Sequence, residues 1–236
     1  MTDNKREKIL IILTFLVYGI SYVSRYTYNS SVNAITSYYN ITSAEFGLVG
    51  TCFFAMYGIG QFVNGILCKR YNKRIVMPVS LMISAVLNFI LFFQPDFRVY
   101  KYLWFINGAS LSLLWSSLSE TVSKYVSKQN INKAIVALSA SLAAGTVIVY
   151  SLSALFSELG IYQYVFLSAT ILCVLVSTIW FIMFPTIKNR DNPIEIGEIE
   201  NEIINKETSK KSRSYFVIVI IFLGILAAVC NLLKFN

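Results

Sequence analysis

Histidine is absent from this 236-residue chain, charged side chains make up only 14% of it, and its four cysteines are scattered. Each shortage removes a class of function. Cys52, Cys68, Cys173 and Cys230 each lie inside or at the edge of an apolar run. With no His beside them, neither a metal-ligand set nor a disulfide framework can be assembled. Soluble domains carry roughly 25% charged residues. A chain well below that share, 56% apolar and with a mean hydropathy of +0.62, has lipid as its main solvent. There is no phosphate-binding Walker loop and no nucleophile with a partner base, so no ATP-driven pump, intramembrane enzyme or cofactor is expected. The net charge of +8 does not point to nucleic acid, because Lys and Arg are confined to short segments between apolar runs and no soluble basic domain carries them.

What is present is a series of apolar stretches of the roughly 20 residues needed to cross about 30 Å of hydrocarbon. They predict spans over 9–33, 46–67, 75–94, 102–122, 134–155, 162–184 and 215–233. The opening MTDNKREK looks like the start of a signal peptide. The apolar run behind it is too long for an h-region of roughly 7 to 15 residues and lacks a cleavage site, so it stays as a span. Sixteen of the 20 Lys and Arg fall on one side of these spans, against Arg98, Lys101 and Lys234 on the other. That bias places the N-terminus in the cytoplasm. The expected organisation is a six-helix transmembrane bundle over 1–184, a cytoplasmic linker of mixed charge over 185–214, and the first span of an incomplete second bundle over 215–236. A seven-helix receptor or retinal protein is the rival. Receptors of that kind begin outside, and the retinal type needs a Lys deep in its last span, where Lys234 sits only at the end.

Arg25 is the residue that lipid should reject. An Arg near the centre of a span costs about 2.5 to 3.5 kcal/mol on insertion scales. At 100° per residue Tyr18, Ser21, Tyr22, Arg25, Asn29 and Asn33 share one helix face. Two readings are open: the stripe lines a cavity, or Arg25 snorkels to the headgroups with the tyrosines as interfacial anchors. Span 2 carries Gly50, Phe54, Tyr57 and Gln61 on one face, which suits either a cavity or close helix packing. In span 4, Asn107, Ser110, Trp115, Ser116, Ser117 and Ser119 are polar or interfacial, the serines being suited to packing and back-bonding. Glu120 lies about 18 Å from the depth of Arg25 and is placed to pair with Lys124 one turn away. Ser139, Ser141, Ala143, Ala144 and Gly145 make span 5 a small-residue helix suited to close contact. With no His and no deep carboxylate to relay protons, a cationic site exchanging one anion for another fits better than proton coupling.

The motifs YVSRYTYN in span 1, FGLVGTCFFAMYGIGQFVNGILCKR with YNKRIVMPVSL behind it, and FINGASLSLLWSSLSETVSKY in span 4 resemble the major facilitator superfamily, in its organophosphate and inorganic phosphate antiporter branch. The resemblance covers 8–185. It implies an all-α membrane protein whose six-helix N-terminal bundle is built of 3+3 inverted repeats, followed by a seventh span, with two bundles rocking about a central site. It also implies that Arg25 binds the phosphate of a small anionic solute, with Tyr22, Asn29, Tyr57, Gln61 and Trp115 lining the cavity. Gln61 stands where some members have Lys. An inner-gate loop would contain Gly65, Lys69, Arg70, Lys73 and Arg74, with Glu120 facing it. Here Lys69 replaces the family's acid and Glu120 stands where relatives tend to be basic, so a reversed Lys69–Glu120 contact is expected. The partners implied are the lipid bilayer and either a missing C-terminal bundle or a second copy, the chain being a fragment, a frameshift product or a half that dimerises. A bacterial inner membrane is the expected location.

Overall fold

The computed structural model describes residues 3–188, with side chains described over 5–185. The expected linker over 185–214 and seventh span over 215–233 lie outside the described residues, apart from the linker's first few positions. Seven α-helices follow one another: α1 Asp3–Ser30, α2 Val32–Tyr39, α3 Ser43–Leu67, α4 Lys73–Phe92, α5 Phe97–Tyr125, α6 Ile131–Glu158 and α7 Tyr164–Lys188. A 3-10 turn over Cys68–Arg70 joins α3 to α4. Six are the expected spans. The seventh, α2, is a short helix split off the end of span 1 at Ser31, so Asn33 lies beyond the break and not on the α1 stripe.

Local chemistry sets the boundaries. Asn40 takes the left-handed conformation (φ 51°) and its N–H donates to the carbonyl of Thr36, closing α2. Two residues on, Thr42 and Glu45 form a reciprocal capping box that starts α3; this satisfies two of the orphan donors of the helix end. Asn72 and Asp96 cap α4 and α5 through their side chains.

Among the described residues, five helices are long and apolar enough to cross a membrane, and α5 is the expected span not among them. Its position explains why. α5 packs on α1, α3, α4 and α6, and the polar side chains Asn107, Ser110, Ser112, Ser117 and Thr121 are buried on it. Such a helix meets protein more than lipid and can carry hydrogen-bonding groups that an outer helix cannot. The outer faces are apolar: Val136, Val147 and Ile182 are each about two-thirds exposed, as expected where the solvent is hydrocarbon.

The principal helix contacts are α1 with α6, α3 with α5, α4 with α7, α4 with α5, and α1 with α7. Exchanging α1, α3 and α4 for α5, α6 and α7 returns the same set. Three antiparallel crossings make an odd number, so the second trio enters from the opposite side of the membrane; the bundle is a pair of inverted repeats. Equivalent crossings rest on glycine. A Cβ added to Gly145 of α6 would lie 2.2 Å from the carbonyl oxygen of Gly19 on α1, and one added to Gly108 of α5 would lie 2.4 Å from that of Phe53 on α3. Ser141 joins Gly145 at the first crossing, whereas Ser139 and Ala143 of the small-residue run are exposed.

A buried polar network ties α1, α4 and α5. Asn88 donates to Ser24 Oγ (2.7 Å) and accepts from Thr27 (2.9 Å), Ser24 and Ser84 hydroxyls meet at 2.5 Å, and Ser84 donates to Asn107 Oδ1 (2.6 Å). These serines and asparagines therefore hold helices together. Asn88→Leu should leave their hydroxyls unpaired at a cost of about 1–3 kcal/mol, seen as a thermal midpoint several degrees lower in detergent.

At the end where α1 begins, Glu7 is buried and gathers the α5–α6 connection. It accepts from Asn130 Nδ2 (2.7 Å), Ser127 Oγ (3.0 Å) and the Ser127 N–H (3.2 Å). Glu7→Ala should release this loop, and trypsin should then cut after the exposed Lys128 several-fold faster than in the native protein.

Candidate anion-binding face

The Arg25 guanidinium is enclosed by rings. Its central carbon lies 4.3 Å from the centroid of Tyr57, 5.0 Å from Phe54, 5.3 Å from Tyr22, 5.4 Å from Phe53 and 5.7 Å from Tyr26. No carboxylate of the described residues is within ion-pair distance of it, and its Nε is buried without a hydrogen-bond partner. Ring faces present partial negative charge, and each such contact contributes about 0.5 to 2 kcal/mol. Together they offset the insertion cost without neutralising the cation. An arginine held this way keeps its hydrogen-bonding fork available for an anion.

The depth of the guanidinium separates the two sequence readings. Arg25 sits near the far end of α1, but side chains on a helix lean toward its N-terminus, and the guanidinium centres over Tyr57. That residue is about 21 Å from the start of α3 and 15 Å from its end. The side chain thus reaches toward the middle of the bundle and does not snorkel outward.

The other expected lining residues fall around it to different degrees. Gln61 Nε2 donates to the Tyr57 hydroxyl at 2.6 Å. Trp115 connects through rings, 5.2 Å from Tyr18, which is 5.0 Å from Tyr22 and shares a 3.4 Å hydroxyl contact with it. Trp115 is 39% and Phe54 46% exposed, so the group is the wall of an open face. Asn29 is half-buried one turn beyond Arg25 on α1, without a contact to the group. Gly50 has open space where a Cβ would go, so close packing is not its part. Phe53 and Tyr26 belong to the ring set but do not stand out in the sequence. The spacing of Phe53 and Tyr57, stacked at 5.8 Å, is the signal that points to Phe53.

The loop after α3 departs from its expected pairing. Glu120 lies 2.5 Å from Lys73 Nζ, not against Lys124 or Lys69. Lys73 also donates to the carbonyl of Cys68. Lys73 can reach across because it opens α4 directly opposite the last turns of α5, whereas Lys69 and Lys124 are exposed. Lys69, Arg70, Lys73 and Glu120 do share one cavity of about 240 Å³. Gly65 has open space around it, and Arg74 instead lies over Phe181, 4.7 Å from the ring centroid. Lys73→Ala should strand Glu120 and lower the thermal midpoint by several degrees, at a cost of about 1–3 kcal/mol. The charge-swapped pair K73E/E120K should recover most of that loss.

Residues 14–233 match the sequence profile of the family described as Major Facilitator Superfamily. The chain is 30% identical over 99 residues to the Membrane sensor protein UhpC of Salmonella typhimurium, covering 42% of this chain and 22% of that protein. It is 24% identical over 114 residues to a Probable hexose phosphate transport protein of Chlamydia trachomatis, covering 48% and 25%. Sugar phosphate exchanger 3 of Xenopus laevis is 27% identical over 149 residues, covering 59% and 29%. The match therefore spans less than a third of the length of these curated relatives. Among solved structures, a bacterial homologue of the human lysosomal transporter Spinster, inward-facing and occupied, superposes with a TM-score of 0.67. It is 14% identical, over 79% of this chain and 45% of that one. The unoccupied form gives a TM-score of 0.65 at 13% identity, over 75% and 43%.

Proposed function

Because the chain belongs to the Major Facilitator Superfamily, a multi-pass membrane family, we propose that its Arg25 face binds the phosphate of an anionic organic solute, a phosphate ester carried in exchange for inorganic phosphate. The observation that carries this reading is a mid-bundle guanidinium with five ring contacts and no carboxylate partner. A cation left charged in a membrane interior needs an anion. Several relatives are named for hexose phosphate or sugar phosphate, which supports a phosphorylated sugar as that anion.

The Arg25 wall is open, and alternating access needs a wall on the opposite side. A second bundle of similar size, from further chain or from a second copy, closes the site in this reading. The Lys and Arg bias puts the α1 start in the cytoplasm, and the bacterial relatives support an inner membrane. Binding is read from Trp115, the exposed tryptophan beside the site. A hexose phosphate and inorganic phosphate should each change its fluorescence saturably, while the unphosphorylated hexose should not. Equal responses to all three would end the proposal.

One relative is named a membrane sensor, which favours a second reading: binding without net transport. Reconstituted vesicles decide between them. Exchange of labelled phosphate for hexose phosphate supports the carrier, and saturable binding with no exchange supports the sensor.

A further inference from the structure

The cavity at the end of the bundle where α1 begins has a charge imbalance that the Arg25 face does not explain. Lys69, Arg70, Lys73 and Lys124 line it, Glu120 is the acid among its lining residues, and Phe184 borders it. Lys73 is committed to Glu120. Three exposed cations are left around a hollow of about 240 Å³, where mutual repulsion is relieved by an anion offering several oxygens.

A second hollow lies next along the same helix. Pro78, Val79, Met82, Ile83, Val86 and Leu87 of α4 line an apolar groove of about 350 Å³. It begins one turn after Arg74 and extends about 14 Å toward the opposite face of the membrane. Between the two, the Arg74 guanidinium lies over the exposed ring of Phe181. A free phosphate ion would use the cavity and leave the groove empty; an acidic protein segment would not enter hydrocarbon. Cations at headgroup depth above an apolar channel at acyl depth match one class of molecule.

We propose that this end of the bundle binds an anionic phospholipid, with its phosphate among Lys69, Arg70 and Lys124 and one acyl chain in the α4 groove. The lipid bridges the inverted repeats: Lys69 and Arg70 belong to the α3–α4 connection, while Lys124 and Phe184 come from α5 and α7. It is independent of the Arg25 site.

Native mass spectrometry of the full chain in neutral detergent tests this, with phosphatidylglycerol and phosphatidylcholine of the same acyl chains as probes. Phosphatidylglycerol adducts should exceed phosphatidylcholine adducts at least fivefold. K69Q/R70Q/K124Q should bring the two level, and K69R/R70K/K124R should keep the preference. Lys124→Gln alone, which leaves the α3–α4 connection intact, should give an intermediate loss. Met82→Trp, which fills the groove, should weaken both lipids. Arg25→Ala should leave the preference intact, so failure here and failure of the transport reading are separate results. Equal adducts in the native protein, or a preference that survives the glutamine variants, overturns the proposal. Full displacement of phosphatidylglycerol by millimolar inorganic phosphate also overturns it, because the site would then belong to a free anion.

Discussion

Arg25→Ala is expected to weaken hexose phosphate binding about a hundredfold, and to abolish saturable phosphate binding at millimolar concentrations. Two charge-assisted hydrogen bonds from one guanidinium to a phosphate contribute about 1.5 kcal/mol each at the low end, and about 3 kcal/mol is two decades of affinity. The loss should not come from misfolding. Arg25 has no ion pair, and its removal deletes a group whose insertion costs about 2.5 to 3.5 kcal/mol, so the thermal midpoint should hold or rise. Arg25→Lys should keep part of the affinity, roughly a tenth, because the ammonium retains charge but loses the planar fork and its stacking on Tyr57. Titration of Trp115 fluorescence with a hexose phosphate checks all three proteins. Unchanged affinity in the alanine variant would remove Arg25 from the site.

The second large effect is structural. Gly145→Val should prevent the protein from accumulating in membranes, and Gly108→Val should do the same at the equivalent crossing. The first added carbon alone would sit 2.2 Å from the Gly19 oxygen or 2.4 Å from the Phe53 oxygen. Both partners are helix backbone, which cannot swing aside as a side chain can. Overpacking of this kind costs about 1–3 kcal/mol where neighbours yield, and more where two helices must separate along their length. Gly50→Val, with nothing within 4 Å, is the control and should accumulate normally. Fluorescence-detected gel filtration of membrane extracts distinguishes the three.

The stack of Arg25, Tyr57 and Gln61 brings together residues from two helices that the sequence marks separately. Each stripe is readable because helical periodicity places i, i+4 and i+7 on one face. That both stripes turn toward the same hollow depends on how α1 and α3 are rotated about their axes. The rotation is fixed by distant contacts such as Gly108 against Phe53. The Lys73–Glu120 pair shows the same limit. Counting along α5 gives Lys124 as the neighbour of Glu120, but pairing in space follows from where the turn over Cys68–Arg70 delivers the first residue of α4.

By itself, the sequence determined the lipid solvent, the six long helices, their alternating direction and the presence of one misplaced cation. These are consequences of length, hydropathy and charge, which act residue by residue and need no knowledge of neighbours. Tertiary structure alone decided that α5 is the shielded helix and that Asn88 and Asn107 are ties between helices. It also decided that Arg25 leans inward among five rings and that three cations gather above an apolar groove. Each of these depends on which faces meet, and in a bilayer that choice is made by close backbone approach and buried hydrogen bonds, since one apolar face dissolves in lipid as well as another.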